Sequence, residues 1–349
     1  MKNKIAIASA FLAAASFSTA EIVINDFLSF EGFVDMSYSH SDLDAGNAGS
    51  PININESDNS YAIDEVEISW LFNFDAVTAQ IDLQYEGGSN SDNPFDDDDT
   101  VELAFVNLAL GNGGVITAGR YASMLGFEAY EPTGLYQYST AYSLYGNDLS
   151  SASEYVQGVK YSQTTDTTFF GISLQDQAFG NNAGRLGGDS DPDSSWAVEV
   201  AGSMDLGNGF TVFAGAAFED ADSGDNQLVN AYVTYETGAW LFAAEINVSE
   251  SDDFVGPGGD TADGVTGLVM ANYAYSDVAS VTGRLSSIDY EIGDFDIEFL
   301  KYTLAHNQAL ADNLLLVTEI SYEDGDVEDD EGDSDIDNLV FAVELLFSF

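Results

Sequence analysis

After residue 20, apolar residues recur at every second position through most of the chain, the period at which β-strand side chains alternate between two faces, and almost nowhere at helical spacing. The cleanest stretch is Val77 to Glu86, where Val77, Ala79, Ile81, Leu83 and Tyr85 alternate with Thr78, Gln80, Asp82, Gln84 and Glu86. Leu28–Tyr38, Ser194–Met204 and Trp240–Val248 repeat the pattern. Ionised side chains on the polar face must meet water. A soluble sandwich does this by turning its apolar face inward; a membrane barrel turns it toward lipid and lines a wet lumen with the charges.

Connection lengths separate these two architectures. The alternation predicts sixteen strands, near 28–39, 61–74, 77–86, 100–110, 115–123, 154–163, 167–176, 194–204, 210–219, 227–236, 240–248, 265–275, 278–288, 294–302, 313–322 and 338–349. Connections on one side are turns such as Asp75-Ala76, 111–114, 164–166, 205–209, 237–239 and 276–277. Those on the other, 40–60, 87–99, 124–153, 177–193, 249–264 and 323–337, are long and polar. Short turns at one rim and long loops at the other are a property of outer-membrane barrels, with the short side periplasmic. Two connections sit badly in the scheme, 289–293 being short for the long side and 303–312 long for the short side. The expected fold is therefore all-β, a transmembrane antiparallel β-barrel of about sixteen strands with short periplasmic turns and long acidic extracellular loops. The alternative is a secreted or surface-attached acidic β-sandwich, an adhesin or surface-layer component.

The start of the chain fits export. Lys2 and Lys4 precede an apolar run from Ile5 to Phe17 and the small residues Ser18-Thr19-Ala20, the marks of a signal peptide. The run is about a dozen residues where a spanning helix needs about 20. Residues 1–20 are read as the signal and 21–349 as a single barrel domain. The 349 residues carry 7 Lys plus Arg against 61 Asp plus Glu, a net charge of −54 that becomes −56 once Lys2 and Lys4 are removed. Such a chain cannot bind nucleic acid, which needs clustered cations. It is not disordered either, because 23 Phe and 18 Tyr supply ample apolar surface. No cysteine is present, so disulfides, thiolate metal sites and cysteine nucleophiles drop out. More than half of the acidic residues fall in the long-side connections.

The last strand alternates Leu339, Phe341, Val343, Leu345, Phe347 and Phe349 with Val340, Ala342, Glu344, Leu346 and Ser348. This resembles the C-terminal strand of bacterial outer-membrane barrels, in which a terminal aromatic is read by the barrel-assembly machinery, and the resemblance assigns that signal to Phe349. The run from Ser29 to Tyr38 looks like the opening strand of general porins and of the OmpL-like porin-2 group. Val101 to Asn107, followed by Ile116 to Glu128 with its Gly119-Arg120-Tyr121 and Gly126-Phe127-Glu128 steps, is similar to a stretch of that second group. The resemblance implies a Gram-negative outer-membrane protein contacting lipid and lipopolysaccharide. It also implies passive diffusion of small hydrophilic solutes and ions, often as a homotrimer, without cofactors.

Sixteen strands are enough to enclose an aqueous channel. The longest connection, 124–153, is third on the long side, the position from which general porins fold a loop into the lumen; it holds Glu128, Tyr130, Glu131, Tyr136 and Tyr138. Strand parity places Glu65, Glu67, Asp82, Glu86, Glu199, Glu245, Asp296, Glu298, Glu319 and Glu344 on the lumen, an acidic lining that favours cations. Arg120, Lys160 and Arg284 share inward parity. They form either the basic side of a constriction opposite Glu128, Glu131 and Tyr130 or a local neutralisation of the wall. Lys301, with the parity of Ile297 and Phe299, is expected to point outward and snorkel. Trp70, Phe72, Phe74, Tyr85, Phe210, Trp240, Tyr275, Tyr322, Phe347 and Phe349, near strand ends, fit interfacial girdles. The acidic stretches 96–99, 189–193 and 323–337 lack EF-hand spacing, so no metal site is expected. A catalytic site is not expected, since His40 and His306 fall at opposite rims.

Overall fold

The computed structural model describes residues 21–46, 54–86, 101–144, 147–148, 154–179, 196–221, 224–252, 261–329 and 332–349. The expected signal segment 1–20, the acidic stretches 96–99 and 189–193, and the side chain of Glu86 lie outside the described residues. Sixteen strands form the wall: β1 (Leu28–Ala45), β2 (Ile54–Phe74), β3 (Val77–Glu86), β4 (Val101–Gly111), β5 (Gly114–Ala122), β6 (Tyr155–Thr164), β7 (Thr168–Gln175), β8 (Trp196–Gly207), β9 (Phe210–Ala221), β10 (Gly224–Thr237), β11 (Trp240–Ser251), β12 (Ala262–Ser276), β13 (Ala279–Ile292), β14 (Phe295–Ala311), β15 (Leu314–Asp329) and β16 (Gly332–Ser348). Each pairs antiparallel with its chain neighbour, and β16 returns to β1 from Ile336↔Ala45 down to Ser348↔Phe33. The seam is finished by reciprocal 2.9 Å hydrogen bonds between the backbones of Gly32 and Phe349. A ring closed in this way has no unpaired edge, and it excludes the sandwich alternative.

Turn chemistry sets the short rim. Asn112-Gly113 and Asn208-Gly209 each join strands through two residues of positive φ (53° and 80°, 57° and 86°). This is the type I′ turn whose twist matches a hairpin. Aromatic rings gather near the short rim, with Phe210 stacked on Tyr235 at 4.2 Å and Trp240 on Tyr273 at 4.4 Å, whereas Tyr302 and Tyr322, 6.4 Å apart, lie near the middle of β14 and β15, which run on past the expected strand ends.

The long rim departs from expectation in an instructive way. Segment 323–337 is not a loop: β15 and β16 continue as a tall hairpin to Asp329 and from Gly332. Likewise β1 and β2 extend to Ala45 and from Ile54. Above the lipid the outer face of a strand meets water instead of lipid, so backbone pairing continues where the apolar outer face stops. The tight connection near 289–293 is a two-residue turn at Gly293-Asp294, and 303–312 belongs to β14, whose turn begins only after Ala311.

The same effect inverts four assigned faces. Phe299 and Lys301 point inward and are buried, whereas Asp296 and Glu298 are exposed on the outer surface with Leu300, Tyr302 and Leu304. Lys301 therefore does not snorkel, and Asp296 and Glu298 do not line the lumen. On β13 the inward residues change from Thr282, Arg284 and Ser286 to Ile288, Tyr290 and Ile292, while Asp289 and Glu291 turn outward. In the extracellular part of this sector, apolar-inside and acid-outside replaces the membrane pattern, because the inside is filled by a loop and the outside is water.

This boundary predicts a contrast along one strand face. Leu304→Lys, in the lipid belt, should destabilise the barrel by about 2–4 kcal/mol, whereas Glu298→Lys should change stability by less than about 0.5 kcal/mol. Urea titration of the protein folded into lipid vesicles measures both, and equal costs would refute the boundary.

Candidate functional site

The connection 123–154 turns into the barrel at once. Its base is pinned by a 2.8 Å bond from Ser123 N to Glu154 O. Its first residues fill gaps left by glycine on the wall: a Cβ at Gly171 of β7 would collide with Met124 Sδ, and one at Gly215 of β9 with Leu125 Cδ2.

A backbone segment removed from bulk water must find partners for its N–H and C=O groups. Here the wall supplies them. Glu199 of β8 accepts from Met124 N at 2.6 Å and Ser123 Oγ at 2.9 Å. Asn230 of β10 accepts from Gly126 N at 3.2 Å. Glu245 of β11 accepts from Phe127 N at 2.7 Å and from Tyr142 Oη at 2.9 Å. Across the barrel, Glu319 of β15 takes Tyr138 N, Ser139 N and Ser139 Oγ at 2.8, 3.0 and 2.6 Å. Donors on the wall answer the loop's carbonyls. Tyr136 O accepts from Thr282 and Asn307, Thr140 O from Arg284 and Lys301, and Ser143 O from Lys301 at 2.7 Å. Arg284 also pairs with Glu128 at 2.5 Å, and Lys301 with Glu323 at 3.4 Å. Beyond this polar lacing, Ala141, Tyr142 and Leu144 pack on an apolar patch that includes Leu268, Met270, Ile288 and Phe299.

The loop is thus inside the lumen, and the expected residues are only partly brought together. Glu128 and Arg284 touch. Glu131 is held against the near wall, accepting from Tyr155 Oη at 2.6 Å beside Glu65, Glu67 and Glu102. Tyr130 Oη closes back on Leu125 O at 2.8 Å. Arg120 reaches Val101 O at 2.8 Å, with its guanidinium 5.7 Å from the Tyr155 ring. Lys160 reaches Ala122 O at 3.3 Å and lies 4.3 Å from the Tyr121 ring. Arg120 and Lys160 stand at the root of the loop, apart from Arg284, so the three cations do not make one basic side. Glu67, Asp82, Glu199, Glu245, Glu319 and Glu344 are buried on the inner face of the wall, as parity required. His40 bonds Asp58 O and His306 bonds Tyr275 Oη, on strand halves that belong to opposite rims.

The crevice between loop and wall alters proton affinity. Burial, and then the charge of Glu67, push the Glu131 carboxyl up to about 8 against the hydrogen bond from Tyr155. Burial likewise pushes the Tyr138 phenol up to about 12.

Several partners escaped the sequence reading. Glu219 holds a second inward segment through Ala178 N and Phe179 N at 2.7 and 2.9 Å. Its parity with Phe213, Gly215 and Ala217 was readable, but those neighbours are apolar or small and gave the face no polar mark. Glu102 was hidden by a β-bulge: the register slips between Asp82 and Leu83, so it faces inward while Val106 and Leu108, of the same parity, face outward. Lys301 was misread because its apolar neighbours are inside.

Hydrogen bonds to an ionised carboxylate contribute about 1.5–3 kcal/mol each. Glu319→Ala, which removes three at the far anchor, should free the 136–140 segment while the barrel still folds. The measurement is single-channel recording, where larger current fluctuations than wild type are expected; an unchanged trace would refute the anchoring role.

Residues 28–349 match the family profile of beta-barrel porin-2, OmpL-like. No curated protein matches the chain. Solved structures with the same fold include the outer membrane channel DcaP of Acinetobacter baumannii (13% identity, TM-score 0.64, 92% of this chain and 97% of that one). OmpT of Vibrio cholerae is similar at 13% identity with a TM-score of 0.61, over 94% and 100% of the two chains. So is an anion-selective porin from Comamonas acidovorans, at 13% identity and a TM-score of 0.62, over 92% and 99%. A loop-crossed sixteen-strand barrel and a profile match over nearly the whole chain make this protein a member of the beta-barrel porin-2, OmpL-like family, a porin of the Gram-negative outer membrane.

Proposed function

We propose that the protein is a passive diffusion channel for small hydrophilic solutes that prefers cations and performs no catalytic step. The observation that carries the preference is the balance of charge inside the wall. Among the described residues, ten acidic side chains are buried there against the three bases Arg120, Arg284 and Lys301. Three of the acids, Glu199, Glu245 and Glu319, accept hydrogen bonds from the loop. A low-dielectric passage lined by one sign of charge concentrates counter-ions. Glu128, Tyr130 and Glu131 on the loop, with Arg284, Arg120 and Lys160 on the wall, shape the constriction in this reading, and Arg284 acts there as a neutralised anchor for Glu128.

The working unit in this proposal is a homotrimer, as one form of Vibrio cholerae OmpT is described to be. Residues 1–20 direct export and are removed. Phe349, its ring tilted against Phe347 at 5.9 Å and edge-on to Phe30 at 6.3 Å, ends the segment that the assembly machinery reads. The outward acids of the tall β13–β14 and β15–β16 hairpins form a solvated acidic rim beside the lipopolysaccharide leaflet.

The expected result in planar bilayers is discrete conductance steps, with a reversal potential in a KCl gradient that has the sign of cation selectivity. Anion preference would overturn the selectivity, and a folded barrel that never conducts would overturn the channel.

A further inference from the structure

Among the described residues, two groups of carboxylates have oxygens close enough together to hold one ion. Asp326, Glu328 and Asp333 lie near the top of the β15–β16 hairpin, where water can screen them. The other group is internal. Oxygens of Glu65, Glu67, Glu102 and Glu131 all lie within 4.8 Å of one another. Glu65 and Glu67 are on β2, Glu102 is on β4, and Glu131 comes from the loop. Glu102 is 2% exposed, and its Oε2 has no hydrogen-bond partner among the described residues. It is directed inward by the bulge opposite Asp82 and Leu83, and bulges commonly re-aim a side chain toward a functional position.

We propose that these four glutamates form a Ca²⁺ site that cross-links the loop to the wall. Four carboxylates gathered in a buried crevice repel one another unless protons or a cation compensate them, and an unpaired buried carboxylate oxygen is costly. Oxygen donors select a hard cation. Oxygens that all lie within 4.8 Å of one another can share one ion, and Ca²⁺, with roughly 2.3–2.6 Å bonds, tolerates the irregular geometry of carboxylates from three segments, whereas Mg²⁺ demands near-ideal octahedral geometry and dehydrates reluctantly. The placement has a mechanical consequence. Glu199, Glu245 and Glu319 tie the loop to β8, β11 and β15, while Tyr155 is the hydrogen-bond donor holding Glu131 on the near wall. A bound ion would add a bridge to β2 and β4 and tether the loop on both sides of the lumen.

The site can be read without current, so its failure is distinguishable from failure of the channel proposal. The probe is Tb³⁺ titrated into the refolded full-length barrel in detergent, with tyrosine excitation; Tyr155 is bonded to a ligand residue and serves as the sensitiser. We expect saturable emission from one internal site, displaced by Ca²⁺ at concentrations at least tenfold below those of Mg²⁺. Glu102→Gln and Glu131→Gln should each weaken Tb³⁺ binding at least tenfold, while the triple change Asp326→Asn, Glu328→Gln and Asp333→Asn leaves it intact. Glu131 is in a loop, so its variant reports even if the strand substitution impairs folding, which heat-dependent gel migration reveals. Absence of saturable emission, an unchanged titration in Glu131→Gln, or loss of the signal only in the triple variant would overturn the site.

Discussion

The barrel depends on how a polypeptide segment can be kept inside a lumen without leaving its peptide groups unpaired. The wall strands spend their own N–H and C=O groups on one another, so only side chains can serve the loop. Carboxylates are suited to this because each offers two acceptor oxygens to several donors, and contacts to an ionised acceptor are the stronger kind. Glu319 alone takes three donors from two consecutive residues of the loop. An abundance of acid that looks from composition like a problem of self-repulsion is, in the interior, a supply of acceptors.

Cations are used as sparingly as the composition forces. All four Lys and Arg of the described residues lie on the wall, and each reaches a backbone carbonyl oxygen: Arg120 to Val101, Lys160 to Ala122, Arg284 to Thr140, and Lys301 to Thr140 and Ser143. Their role in the architecture is to supply donors to backbone C=O groups, of the loop or its base for Lys160, Arg284 and Lys301 and of β4 for Arg120. Glu128 and Arg284 exchange full charges between loop and wall, at 2.5 Å. The gap between an acidic loop and a basic wall is therefore closed at that point rather than open.

Much of the fold was legible because a lipid-facing strand has no freedom in its pattern. Every second residue from Val77 to Tyr85 and from Leu339 to Phe347 must be apolar, and strand number, turn positions and the inward face of Glu67, Asp82, Glu199, Glu245, Glu319 and Glu344 follow. Legibility ended where that solvent ended. Above the membrane the outer face is water and the inner face in the β11–β16 sector is a packed apolar patch, so Asp296, Glu298, Phe299 and Lys301 were assigned to the wrong sides. The tall hairpins passed for loops for the same reason.

The amino-acid sequence by itself determined a sixteen-strand barrel with sorted rims, an acidic character and a long third connection, because those features are local: period, turn residues and length. Only the tertiary structure decided which carboxylate meets which peptide group, that Arg284 is paired with Glu128 while Arg120 and Lys160 stand apart, and that a bulge turns Glu102 toward Glu65, Glu67 and Glu131. Each of those depends on where a loop crosses a closed ring and on a one-residue slip in register. Parity counted along one strand cannot register either, since both arise between segments distant in the chain.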